Sequence, residues 1–324
     1  MLAHLIRSKG PFDLFRRGYA IVDRVGVTAG AMHRALTGFA ELAARYDARV
    51  TFPVTALTLD RHPALLRTLL GGGATVELAI HGYRHVDHSL LPASVLAQQV
   101  AQAADVFRAH GIPFLGFRAP YLRWNSDLLD ALTGAGLTYD SSQPILWPVV
   151  DMAALAPEQR QALETLLAFD RPAPAEMTPA LPFWVGDLLE LPVSLPDDEM
   201  LVERLRLREP GAIAQYWIVA FEQCHARGEM FVLQLHPERF PLCAAALERL
   251  LDHVTRLGPA VWCASLGDVA VWWRKQHAAG DGPSAAAGRS LPGRWPGGAT
   301  SAFALSGDID AITLWDYAAR FWGA

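Results

Sequence analysis

At 324 residues with 52% hydrophobic content, the chain is long enough to bury one barrel-sized core, which is preferred over two ordinary domains. A formal net charge of -5 and a longest basic cluster of only Arg16-Arg17 exclude a phosphate-tracking surface, so no nucleic-acid partner is expected. Cys224, Cys243 and Cys263 form no CxxC pair, and there is neither an apolar run of about eighteen residues nor a leader with a cleavage site, so we expect a cytoplasmic chain without disulfides or a membrane span.

Residues 1–28 read as an irregular or partly helical lead-in. From Ala29 to Arg45, Met32, Leu36, Phe39, Leu42 and Ala43 recur at three- and four-residue steps, which predicts an amphipathic helix. Arg49 to Leu57 is β-branched and aromatic and reads as a buried strand. His62 to Leu70 returns to helical spacing and stops at the glycines 71–73. A strand over Thr75–Ile80, the loop HGYRHVDHS and a helix from Pro92 to His110 continue the alternation. FLGFRAPY, a helix over Ser126–Gly134 and the TYDSS segment follow.

Residues 143–200 are Pro-rich, carry tryptophans and form the least regular stretch. Beyond them come a helix over Ile213–Arg227, a strand over Met230–His236, a helix over Leu242–Arg256, the strand AVWCAS and the helix GDVAVWWRKQ. Repeated βα units predict an α/β fold, a parallel sheet or barrel with its site at the carboxyl ends of the strands. The division expected is a lead-in (1–28), a barrel (29–276), a Gly-, Ala-, Ser- and Pro-rich linker (277–299) and a C-terminal strand and helix (300–324). At about 3.3 Å per extended residue the linker is long enough to cross a domain and return the last strand to the body of the fold.

Chemistry-bearing residues gather at the predicted strand ends. His81 and His85 stand four apart after a strand, a spacing at which two neutral imidazoles can hold one divalent ion; polar loop histidines are the plainer alternative. His88 reads as a solvated bystander. Arg118 follows the apolar run of GFRAPY, where a surface or capping arginine is equally ordinary. His236 ends the strand FVLQLH, positioned for acid–base work or merely satisfied at a strand terminus. Asp308 and Asp310, one residue apart at the strand-to-helix passage GDIDA, can aim both carboxylates into one cleft or cap the last helix. Their joint occurrence at strand ends favours a site.

The set HGYRH, FRAPY, LPVSLPDDEM, VLQLH and GDIDA resembles the motifs of the polysaccharide deacetylase group (NodB homology, carbohydrate esterase family 4). The resemblance implies a distorted (β/α)7 barrel. It also implies that Asp308 matches the catalytic base, Asp310, His81 and His85 the metal ligands, and Arg118 the arginine that orients the base. Tyr121 matches the tyrosine whose backbone N–H helps to hold the oxyanion, Leu235 the wall of the acyl pocket, and His236 the general acid. Asp197 and Asp198 stand in the loosest motif, pairing with Arg118, lining the cleft or solvated in a loop. In that group the acidic motif sits on the first strand, whereas here it comes last. Circular permutation, with the first strand delivered from the C-terminus, is the simplest arrangement that reconciles the two orders.

An Asp/His/His set leaves coordination positions open, as catalytic sites do. Zinc is the first choice, and the mixed O/N donors also suit cobalt, nickel or manganese. The reaction implied is hydrolysis of an N-acyl group, N-acetyl first, on an amino sugar in a polysaccharide, lipid-linked or nucleotide-linked precursor. Small-molecule and oligosaccharide substrates are the partners expected, and a homo-oligomer is compatible with the sequence. Trp124, Trp147 and Trp184 are candidates for stacking on sugar rings, or simply core. An amide hydrolase acting on a non-sugar substrate, a silent carbohydrate-binding barrel, and a scaffold whose C-terminal segment docks on another subunit are the alternatives.

Overall fold

The computed structural model describes residues 27–71, 76–277 and 295–319. The lead-in assigned to 1–28 and the linker assigned to 277–299 lie mostly outside these residues.

The first helix, α1 (Gly30–Arg45), buries Met32, Leu36, Phe39, Leu42 and Ala43, the stripe that the sequence spacing marks. β1 (Val50–Val54) is buried throughout. It ends earlier than expected because the next backbone N–H groups, on Ala56 and Leu57, turn to the carbonyls of Gly82 and Tyr83 and open α2 (Ala56–Arg61). Then come α3 (Pro63–Leu70), β2 (Val76–Ile80), α4 (Ala93–Ala109), β3 (Gly116–Phe117), α5 (Ser126–Gly134) and β4 (Tyr139–Asp140). Gly116 is required where it is, because a Cβ there would enter the Tyr139 ring on the neighbouring strand.

The stretch read as irregular holds β5 (Pro144–Leu146), α6 (Pro157–Asp170), β6 (Ala173–Pro174), β7 (Phe183–Val185), β8 (Leu188–Glu190) and β9 (Val193–Leu195). The helix α6 corrects the sequence reading. Only Leu163 and Leu166 of it are buried, so it shows no broad apolar stripe, although Pro157 at its first turn and Glu158 beside it are ordinary start signals. A π-helical turn (Glu199–Arg204) precedes α7 (Pro210–Ala226), β10 (Met230–Leu235), α8 (Phe240–Arg256), β11 (Val261–Cys263), α9 (Leu266–Gln276), β12 (Ser301–Gly307) and α10 (Leu314–Ala319).

All strands but one join in parallel, in the order β6-β5-β9-β10-β12-β1-β2-β3-β4-β8-β7, with β7 antiparallel to β8 and β11 paired to β12. The result is a curled half-barrel sheet. The last strand thus lies between β10 and β1, pairing from Met230↔Ala302 to Leu235↔Gly307 on one side and at Val50↔Leu305 on the other.

Sequence explains why β12 settles there. Alternate residues of a strand face opposite ways, and Phe303 and Leu305 enter the same apolar cluster as Phe231 and Leu233. Ala302 and Ala304 enter the second cluster with Met230, Val232, Trp273 and Trp295. A strand apolar on both faces is stable only inside a sheet covered on both sides. Burying the Phe303 and Leu305 side chains contributes about 1.5–3 kcal/mol each, and the parallel ladders to β10 and β1 satisfy the strand's backbone groups.

Candidate active site

Because nearly all the strands run parallel, their carboxyl ends share one edge, and His81, His85, Arg118, Asp308 and Asp310 meet there. His81 follows β2 and its ring Nδ1 lies 2.8 Å from the Arg118 carbonyl oxygen. A carbonyl only accepts, so Nδ1 carries the proton and Nε2 presents its lone pair to the cleft. That lone pair faces Asp310 Oδ1 at 3.3 Å, and His85 Nε2 faces Asp310 Oδ2 at the same distance. Donor atoms of His81, His85 and Asp310 all lie within 4.8 Å of one another. Two imidazole nitrogens and a carboxylate oxygen pointing at a common centre fit a divalent cation of the zinc, cobalt, nickel or manganese type.

His88 corrects the sequence reading. It is fully buried, not solvated, edge-on to Phe117 at 5.8 Å and packed so closely on Gly82 that a Cβ there would strike its ring. Gly82 has φ +80°, a conformation that glycine adopts without strain, and the ligand loop turns on it. Burial, reinforced by nearby His81, pushes His88 down to about 4, so it stays neutral as a packing post beneath the loop.

Asp308 continues β12. Its Oδ1 accepts from Arg118 Nη1 at 3.0 Å, its Oδ2 lies 3.9 Å from His81 Nε2, and its N–H donates to the Leu235 carbonyl at 3.0 Å. Arg118 is fully buried and anchored on every side. Its Nε donates to the Ser141 carbonyl (2.8 Å), Nη2 to Ser141 Oγ (2.8 Å) and Nη1 to Ser306 Oγ (2.6 Å) as well as to Asp308. Sequence reading missed Ser141 and Ser306, since isolated serines carry no pattern.

Asp197 and Asp198 do not pair with Arg118, nor are they solvated. Asp198 is completely buried behind His236, accepting its backbone N–H at 2.9 Å and facing its Nδ1 at 2.7 Å, with Arg239 Nη1 at 3.5 Å. It is therefore placed to orient the histidine, not to touch a substrate. Asp197 Oδ1 accepts from Met200 N–H at 2.8 Å at the start of the π-helical turn. Burial and then Asp198 push the Asp197 carboxyl up to about 7.

Burial alone would lower His236, but the Asp198 carboxylate outweighs it, against opposition from Arg239, and holds the imidazole well above its usual range. Although His236 also lies near Asp197 and Asp198 in a group of metal-ligating residue types, its Nδ1 is engaged with Asp198 and the Arg239 guanidinium stands beside them. A hydrogen-bonded acid pair accounts for that cluster better than a second cation.

Tyr121 has φ +62° and its ring stands edge-on to His85 at 4.5 Å. Its other neighbour, Phe169 at 6.0 Å, lines a cavity with Ser89, Leu122, Arg123, Trp124 and Gln143. Of the tryptophans considered for stacking, Trp124 lines this cavity beside the metal-ligand loop, whereas Trp147 is core and Trp184 lies under Arg274. Leu235 is buried in the larger apolar cluster.

The acids are held by a latch further along the chain. Asp316 Oδ2 accepts from Thr313 N–H (2.8 Å) and Ile312 N–H (3.1 Å) and faces His62 Nε2 (2.9 Å), while Oδ1 accepts from Arg61 (3.0 Å). Thr58 Oγ1 donates to the Asp310 carbonyl at 3.3 Å. Burial pushes the Asp316 carboxyl up, but His62, the Thr313 N–H and Arg61 together outweigh it and hold it far below the usual range. A depressed carboxylate stabilises the fold above its unfolded value of about 3.9 and loses that contribution as pH falls through its folded value. Asp316→Asn is accordingly expected to cost about 1–3 kcal/mol at pH 7, the difference closing in strong acid, as urea denaturation at a series of pH values will show. Equal stability at pH 7 would mean the latch is inert.

The curled, mostly parallel α/β sheet has the fold of the NodB-type deacetylase barrels. Residues 31–139 match the family model described as polysaccharide deacetylase, so the resemblance read from the motifs is borne out by sequence over that segment and by fold beyond it. A solved structure of Puue allantoinase is 19% identical, with 75% of this chain and 73% of that chain covered and a TM-score of 0.57. One of a probable polysaccharide deacetylase from Pseudomonas aeruginosa PAO1 is 19% identical, with the same coverage and a TM-score of 0.58. No curated protein matches the sequence.

Proposed function

We propose that this chain is a divalent-metal-dependent hydrolase that removes an N-acyl group, N-acetyl first, from an amino sugar in a polysaccharide, lipid-linked or nucleotide-linked precursor. The observation that carries it is the convergence of His81, His85 and Asp310 on one point, with Asp308 poised alongside. A divalent ion bound there supplies Lewis-acid polarisation of the acyl carbonyl and lowers the pKa of water. Asp308 Oδ2 takes the proton of the attacking water while Arg118 fixes Oδ1, so the carboxylate cannot rotate away. The Tyr121 backbone N–H is the proposed donor to the oxyanion, and Leu235 the proposed wall for the acyl group. His236, protonated through its bond to Asp198, delivers a proton from Nε2 to the leaving amine. The C-terminal strand is read as the family's first strand, moved by circular permutation.

Chelation is expected to abolish amine release from oligosaccharides containing N-acetylglucosamine, and zinc or cobalt to restore it. Absence of release from every N-acyl substrate, together with absence of bound metal, would sink the proposal. The fold shared with an allantoinase favours a second reading, hydrolysis of an amide that is not on a sugar. Release of amine or ammonia from a non-sugar amide, with none from the oligosaccharides, would select it.

A further inference from the structure

Behind Arg118 lies a group of buried acids that the proposed reaction does not use. Asp140 and Glu190 are register partners at the carboxyl ends of β4 and β8, exposed by 0% and 2% respectively. In-register side chains on neighbouring parallel strands project on the same side of the sheet, which brings the two carboxyl groups close enough to act on each other. Two ionised carboxylates are acceptors only, so a hydrogen bond between them needs a proton.

The remaining bonds show which residue carries it. Glu190 Oε1 accepts from the N–H groups of Ser142 (2.9 Å) and Gln143 (2.8 Å), which leaves the proton to its other oxygen. Asp140 Oδ1 accepts from Ser142 Oγ at 2.7 Å, while Oδ2 is buried and receives no other donor among the described residues. A protonated Glu190 supplies the donor that Oδ2 lacks. The other charged or titratable groups facing Asp140 are Arg118 and Tyr139, and the Tyr139 hydroxyl is itself engaged with Glu77.

We propose that Asp140 and Glu190 share one proton, carried by Glu190, and that this pair is a positioning element for Arg118 and so for Asp308. The proposal rests on the reading of Asp308 as the base. Every link is in place. Glu190 suspends the turn at 142–143 by two backbone bonds, and Ser142 Oγ accepts from Ala119 N–H at 2.8 Å, tying that turn to the residue after Arg118. Ser141, the preceding residue, receives both Nε and Nη2 of Arg118. One net negative charge on the pair, rather than two, also leaves Arg118 free to remain matched to Asp308. Burial raises both carboxyls, Asp140 to about 6 and Glu190 well above the ordinary range, in keeping with a proton retained at neutral pH.

Glutamine is the discriminating substitution, because its amide oxygen can keep both backbone bonds and its NH2 can donate permanently to Asp140. Glu190→Gln is expected to keep kcat within about threefold of wild type with an unshifted pH profile, and to remove a protonated-carboxyl C=O band from the infrared spectrum at pH 7. Glu190→Leu removes the donor and both acceptor bonds and is expected to lower kcat about 10–100-fold, with KM and metal content changing far less. If Glu190→Gln is as damaging as Glu190→Leu, or if the wild-type band is absent, the proposal is overturned. Should Glu190→Leu not fold, the band and the glutamine variant decide alone. Wild-type protein inactive on every acyl substrate would defeat the functional reading, whereas the infrared comparison would still report on the shared proton.

Discussion

Asp308→Asn is expected to lower kcat for amine release by about 10²–10⁴-fold while the protein still binds its metal. Asparagine has the shape of aspartate and an oxygen to accept from Arg118 Nη1, now at 3.0 Å from Oδ1, but it cannot take a proton from water. The proposed ligands, His81, His85 and Asp310, are untouched. KM is expected to move little, since the lost interaction belongs to the transition state. Removing the negative charge also leaves buried Arg118 less well matched, so a loss of stability of a few kcal/mol is expected in denaturation, and assays belong well below the melting temperature. Asp310→Ala should separate from it cleanly, losing metal as well as activity. Full activity in Asp308→Asn would remove Asp308 from the mechanism; loss of metal in that variant would make it a ligand instead of the base.

Much of this arrangement was legible in the sequence, for identifiable reasons. Strand ends carry their own punctuation, so His81 after TVELAI, Arg118 in GFRAPY, His236 after FVLQL and Asp308 in GDIDA could each be located before the fold was known. The position of β12 was legible because a strand apolar on both faces must be covered on both sides, and the Gly-, Ala-, Ser- and Pro-rich stretch before it is long enough in sequence to return it to the sheet. His88 was misplaced because a histidine in a polar loop looks solvated, whereas here the neighbouring glycine lets the loop fold over its ring. Asp198 was misplaced because partner choice between Arg118 and His236 is decided by which strands adjoin: β9 leads to Asp198 and pairs with β10, which leads to His236. The Asp140–Glu190 contact depends on the register of β4 and β8, separated by an irregular stretch whose strands are too short to show a pattern. Local residue types reveal candidate chemistry, but pairing among acids and bases is a property of strand order.

Asp198→Asn is expected to move the alkaline limb of the pH–kcat profile to lower pH and to reduce kcat about 10²-fold at pH 8, with the deficit shrinking as pH falls. The sign follows from the charge balance around His236. Asp198, bonded to Nδ1 at 2.7 Å, raises the imidazole above the value that burial would impose, and Arg239 works against it. With the carboxylate replaced by a neutral amide, burial and Arg239 act unopposed on that side and the imidazole loses its proton at lower pH. A general acid that is deprotonated cannot serve the leaving amine, so activity fails first on the alkaline side. Both partners contribute stability, and their contributions are lost at opposite ends of the pH range. A raised histidine stabilises the fold below its unfolded value of about 6.5 and loses that contribution as pH rises through its folded value. The lowered Asp198 does so above about 3.9 and loses it as pH falls through its folded value, so the variant is most destabilised relative to wild type between those limits. Arg239→Met tests the same balance from the other side, since removing its charge should extend the alkaline limb upward. Profiles of Asp198→Asn and Arg239→Met that both superimpose on wild type would show that His236 is not the acid, whatever its distance from Asp198.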